Sequence, residues 1–185
     1  MSWSREEMEE MVERWLQINQ KAEELGDWSV MAEMYTEDAS YGWNYGAKTE
    51  FMAVGRDEIR EYALGVEMQG LGGWEYPYLA KIIDPEQGYF VGFWKQVAGG
   101  ERPDGTPYEV AGIGGSWFKY GGDFKWCWQR DWFDLGNATS LFFELMDNGT
   151  LSEGMTQRMT RPMKIGSNGL YAVHKAPVGI WDLPE

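Results

Sequence analysis

The sequence predicts an α+β domain, with helices first and a curved antiparallel sheet after them. Three observations predict it. No proline occurs before Pro77, and the apolar residues of that stretch recur at helical spacing. After Gly70 the pattern changes to runs of aromatic and branched residues, each a strand's length. The runs are separated by short turns rich in Gly, Pro and Asp, so consecutive strands must run antiparallel. Helices segregated from strands in this way pack together on one face of the sheet.

The elements follow in order. Met8, Met11, Val12, Trp15, Ile18, Asn19 and Ala22 form one stripe of an amphipathic helix. Ser4 with Glu7 makes a capping box at its start, and Gly26 stops it. Asp27 caps a short second helix carrying Val30, Met31 and Met34, and a third begins near Gly55-Arg56-Asp57. A short early strand runs from Ala39 to Tyr45. Four more are expected at Trp74 to Asp84, Gly88 to Ala98, Pro107 to Tyr120 and Phe124 to Phe133. Two helices are expected beyond Asn137, one around Leu141 to Met146 and one around Met155 to Met159. Residues 166–185 show no period. The reading is one domain over residues 1–147, with 148–185 as an extension packing on that domain or on a neighbouring subunit.

Composition excludes several functions. The 185 residues hold 16 Lys and Arg against 30 Asp and Glu, a net charge of −14. That charge argues against nucleic acid and against an anionic membrane surface, since both recruit Lys and Arg. No run approaches the length of a membrane span. The one cysteine, Cys127, excludes an internal disulfide framework, and with the one histidine, His174, it leaves no expected metal site. The N-terminus lacks the pattern of a secretory signal, so the expected location is the cytoplasm. The eleven tryptophans are the oddest feature of the composition.

Three segments carry a resemblance. They are Leu25 to Tyr41, Val54-Gly-Arg-Asp-Glu-Ile-Arg60, and the Gly turn and strand from Gly121 to Leu135. Their order and spacing over about residues 8–147 resemble the nuclear-transport-factor-2-like superfamily. That superfamily includes ketosteroid isomerase, SnoaL-type polyketide cyclases and limonene epoxide hydrolase. The resemblance implies a cone-shaped α+β barrel with a deep apolar pocket, no cofactor, and a homo-oligomer, dimer or trimer.

It also implies site residues. Trp128-Gln-Arg-Asp-Trp-Phe-Asp134 is similar to the final strand of limonene epoxide hydrolases, and Asp131 matches the catalytic aspartate there. Tyr41 matches a water-orienting tyrosine. The nearby asparagine falls on Trp43, or on Asn44 with one inserted residue. Lys95 stands where that hydrolase has an arginine, and the paired aspartate has no counterpart. The ketosteroid isomerase positions fall on Trp43, Asn19 and Ser116, so that enzyme's enolate chemistry does not transfer.

The residues themselves support a similar set. Asp131 shares a strand face with Gln129, and a carboxylate in an apolar cone is tuned toward acid/base work. Lys95 is an ammonium among apolar neighbours, suited to stabilising an oxyanion or to snorkelling outward. Catalytic candidates are therefore Asp131, Lys95 and Tyr41. Substrate-binding candidates are Asn44, Trp43, Tyr45, Asn19, Trp94, Ser116 and Gln129. The plain alternative for each is packing or a surface ion pair.

An aromatic-lined pocket fits a small apolar aromatic substrate. In pocket type it is similar to the lignin-degrading diarylpropane lyases of the superfamily. The expected function is a cofactor-free lyase on such a molecule, deformylating in one form. An epoxide hydrolase, an isomerase or dehydratase, and a non-catalytic binding protein stay open.

Overall fold

The computed structural model describes residues 2–184. The first helix, α1, spans Arg5–Leu25. The Ser4 hydroxyl accepts the Glu7 N–H at 3.0 Å, and Gly26 ends the helix with φ 65°, its N–H returning to the Ala22 and Glu23 carbonyls. Met8, Met11, Val12, Trp15, Asn19 and Ala22 are its buried stripe. A 3-10 turn, Trp28–Met34, capped by Asp27, leads straight into β1, Tyr35–Asn44. A strand that periodicity did not reveal follows as β2, Thr49–Val54.

The third helix starts after Gly55 as α2, Arg56–Glu58, and widens at once into a π-helical stretch, Ile59–Val66. Its last turn is closed by the Glu67 N–H reaching the Tyr62 carbonyl at 2.9 Å. The widening sets Ala63, Leu64 and Glu67 on a cavity wall.

The remaining strands are β3 (Tyr78–Asp84), β4 (Tyr89–Trp94), β5 (Val97–Glu101), β6 (Pro107–Glu109), β7 (Gly114–Gly122) and β8 (Lys125–Trp132). Two of the four expected strands are each broken in two. The Gly88 to Ala98 run ends its ladder at Trp94, beside Pro77, which has no N–H to extend the pairing. Its remainder, β5, pairs with β6 in a separate two-stranded sheet. The Pro107 to Tyr120 run breaks at Gly112, whose φ of 151° turns the chain between β6 and β7.

The main sheet has seven strands in the order β3-β4-β7-β8-β1-β2-β9, where β9 is Leu170–Ala172. Sequential strands are antiparallel, as expected, but β1 and β8 pair in parallel. No turn constrains that pair, because it joins the early strand to the last strand of the barrel. The sheet curls around α1 and the π-helical segment, and Trp15, Phe90, Phe118 and Trp126 interlock in its core. Beyond β8 lie α3 (Leu135–Asp147) and α4 (Glu153–Thr160). The stretch near the C-terminus crosses the outer sheet face. There the carbonyls of Gly179 and Ile180 accept from Arg130, and that of Asp182 accepts from the Trp128 indole.

Among the described residues no helix is long and apolar enough to cross a membrane.

Candidate active site

The concave sheet face and the helices enclose a part-open cavity of about 110 Å³. Strand parity and one irregularity decide what points into it. In β8, Tyr120 pairs with Trp126 and Lys119 with Trp128, so Cys127 is the extra residue of a bulge. The bulge turns Trp126 inward as well as Gln129 and Asp131, and leaves Cys127 off the cavity wall. Strict alternation from Asp131 would have put Cys127 on the inner face and Trp126 outside.

Both oxygens of Asp131 are held. Tyr41 Oη donates to Oδ2 at 2.5 Å and Gln129 Nε2 donates to Oδ1 at 2.8 Å. The Tyr35 hydroxyl in turn donates to Gln129 Oε1, which fixes the orientation of that amide. Ser116 lies directly opposite Asp131 in the β7–β8 register, where its hydroxyl favours the Asp131 anion. The Trp94 indole donates to Ser116 Oγ at 2.9 Å.

Burial pushes the Asp131 carboxyl above its ordinary range, and the donors Gln129, Tyr41 and Ser116 pull the other way, as does the Arg130 charge. Burial first, and the Asp131 charge second, hold the Tyr41 and Tyr35 phenols well above theirs. The tyrosines therefore stay neutral donors, and the carboxyl is the group poised to exchange a proton.

No family model matches the sequence, and no curated protein matches it. Solved structures do match. An NTF2-like protein from Anabaena variabilis ATCC 29413 aligns at 18% identity and TM-score 0.53, over 72% of this chain and 94% of that one. A putative SnoaL-like polyketide cyclase from Jannaschia sp. CCS1 aligns at 14% identity and TM-score 0.53, over 76% and 96%. The chain has the nuclear-transport-factor-2-like fold. The epoxide hydrolase/cyclase-like enzyme SalBIII, described for pyran ring formation in the polyether salinomycin, shares it at 16% identity and TM-score 0.53, over 72% and 95%.

Within this NTF2-like cone, Asp131, Tyr41, Trp43, Asn19, Trp94, Ser116 and Gln129 all line the one cavity. Trp43 stands opposite Asp131 across the parallel β1–β8 pair and stacks on Phe51 at 3.9 Å. Asn19 Nδ2 donates to Glu23 at 2.8 Å, and the same carboxylate oxygen accepts the Tyr76 N–H at 2.7 Å, so Asn19 also ties α1 to the segment before β3.

Three expectations are corrected. Lys95 follows Trp94, and adjacent residues of an extended chain face opposite sides. With Trp94 inside, Lys95 lies outside, 42% exposed, its Nζ donating to Glu109 at 2.9 Å. Asn44 follows Trp43 and is exposed for the same reason. Tyr45 turns to a small neighbouring pocket, where its hydroxyl donates to Glu67 at 3.0 Å.

Other wall residues escaped the sequence reading. Tyr76 and Tyr78 share a face at strand spacing, and Tyr78 Oη accepts the Trp15 indole N–H at 3.0 Å. That spacing was a usable signal. Glu67 pairs with Arg158 at 3.1 Å and with Arg161 at 3.0 Å. Nothing local announces that group, because α4 meets the π-helical segment only in the folded cone. Among the described residues, no three His, Cys, Asp or Glu side chains gather as a metal-binding set.

Proposed function

We propose that this cavity is a cofactor-independent active site in which Asp131 and Tyr41 perform acid/base chemistry on a small aromatic molecule, as a lyase. The observation that carries the reading is the Tyr41–Asp131 hydrogen bond in a cavity walled by Trp15, Trp28, Trp43 and Trp94. The aromatic walls exclude water and favour stacked or edge-on rings.

Deformylation of a diarylpropane-1,3-diol illustrates the chemistry. Asp131 takes the proton of the terminal hydroxyl. That oxygen closes to a carbonyl, the carbon–carbon bond breaks, and formaldehyde leaves. The freed electron pair forms the stilbene double bond and expels the benzylic hydroxyl. Tyr41 gives that hydroxyl a proton, water departs, and the now protonated Asp131 returns its proton to Tyr41. The 2.5 Å hydrogen bond is the path of that return. No redox partner is needed. An engineered apolar cavity of about 150 Å³ takes benzene, so the enclosed space of about 110 Å³ suits one ring and a second ring lies toward the mouth.

A set of lignin-derived diarylpropanediols, assayed for formaldehyde and stilbene, tests the reading. Turnover should fall about 10²–10⁴-fold in Asp131→Asn. Turnover unchanged by that substitution removes Asp131 from the chemistry. The second reading is epoxide opening, favoured by the match of Asp131 and Tyr41 to that hydrolase pattern. It predicts oxygen from labelled water in the product of a terpene epoxide, which the lyase reading does not.

A further inference from the structure

The opposite side of the cavity holds charge that the acid/base reading does not use. Arg158 lines the cavity, and its guanidinium shares the Glu67 carboxylate with Arg161. One carboxylate thus answers two guanidinium groups, and the trio carries an excess positive charge in a chain whose net charge is −14. Glu67 is spent on this contact, with only 7% of its side chain exposed, and it also accepts from Tyr45. Arg158 engages Glu67 through one nitrogen, and a guanidinium carries five N–H donors in a planar fork.

Arg158 is not on a loose tail. It sits on α4, which is anchored where Gly70 and Gly154 touch backbone to backbone. A Cβ at Gly70 would lie 2.0 Å from the Met155 nitrogen. Ser152 Oγ donates to the Gly70 carbonyl at 2.7 Å, and Met155 is buried beneath. The guanidinium is therefore held in place before any ligand arrives. Arg158, Tyr76 and Asp131 all line the cavity, so the guanidinium and the carboxyl border one shared space. Trp28 and Trp43 wall the same space with their rings.

We infer that the ligand of this cavity carries a carboxylate, seated on Arg158, with its aromatic body extending between the tryptophans toward Asp131. The inference rests on the cavity being the substrate site, and it narrows the substrate class: the small aromatic molecule carries a carboxylate.

Binding tests it without turnover. The probes are 3-phenylpropanoate and its uncharged amide, 3-phenylpropanamide, read by quenching of the cavity tryptophans. Wild-type protein should bind the carboxylate about tenfold more tightly, worth about 1.4 kcal/mol. Arg158→Gln should erase that preference while leaving amide affinity unchanged. Glu67→Gln, which releases both guanidinium groups, should enlarge the preference. Equal binding of the two probes by wild type, binding of neither, or a preference that survives Arg158→Gln overturns the inference. Should Arg158→Gln fail to fold, a Glu67→Gln protein with no gain for carboxylate over amide overturns it equally. Asp131→Asn should keep the preference, so a failure of the acid/base reading and a failure of this one are separate results.

Discussion

Tyr41 donates to Asp131 across 2.5 Å although the two residues are 90 positions apart, on a pair of neighbouring strands that run parallel. The contact makes β1 and β8 into a single site. With Gln129 on the other oxygen both Asp131 oxygens are engaged, and burial pushes the carboxyl upward against these donors.

Asp131→Asn should stabilise the protein at neutral and alkaline pH. A carboxyl raised in the folded state contributes stability that is present in acid and is lost as pH rises through its folded value. Asparagine removes that loss. Its oxygen can accept from Gln129, and its amide can donate to the Tyr41 hydroxyl, whose own proton then turns to the cavity. The expected gain is about 1 kcal/mol, or a Tm increase of about 3 °C. Thermal melts across pH should show the gap closing toward acid. A gap that is constant with pH contradicts the assignment.

Tyr41→Phe should move the pH profile of turnover. The substitution removes a donor that favours the Asp131 anion, so the carboxyl titrates higher and the acidic limb shifts to higher pH. The maximal rate should drop about 100-fold. Because the phenol lies well above its ordinary value, no alkaline limb from Tyr41 should appear in the wild type within the stable range. A lowered rate with an unmoved acidic limb would make Tyr41 a packing residue.

Lys95→Gln and Lys95→Ala should leave turnover unchanged. The ammonium pairs with Glu109 outside the cavity, with both side chains more than a third exposed. Such pairs contribute at most about 1 kcal/mol. Denaturant melts together with turnover rates check this, and a large loss of activity would mean that Lys95 reaches the substrate by a route the fold does not show.

Ending the chain at Val178 should destabilise the sheet from outside. The shortened protein loses the Gly179 and Ile180 carbonyls, at 3.1 and 3.0 Å from the Arg130 guanidinium, and the Asp182 carbonyl at 2.8 Å from Trp128. Arg130 is buried and its pKa is pushed down to about 10 by that burial, so its remaining partners matter. The expected loss is about 2–4 kcal/mol, read as a fall in Tm. An unchanged Tm would show that water replaces the tail carbonyls at no cost.

Much of the fold is legible in local pattern. The stripe of α1, the Ser4 cap and the Gly26 stop are short-range events, and they form where periodicity places them. The strand interruptions at Pro77 and Gly112 were less legible, because each depends on what the neighbouring strand needs from the backbone. Strand β2 was missed because Thr49–Val54 is buried nearly throughout and so shows no alternation. In the candidate site, parity placed Asp131 with Gln129 correctly. The same rule, applied to Trp94 and Lys95 or to Trp43 and Asn44 together, would have excluded one of each pair.

By itself the sequence determined the order of helices and strands and the aromatic content, and two separate segments offered Asp131 and Tyr41, with Lys95, as candidates. These are properties of residues within a few positions of one another, or of a pattern read along the chain. Only the tertiary structure decided that β1 and β8 run side by side, that a bulge at Cys127 turns Trp126 inward, and that Arg158 faces the cavity from α4. Each of these depends on surfaces far apart in the chain meeting when the apolar core closes, and no local spacing encodes that closure.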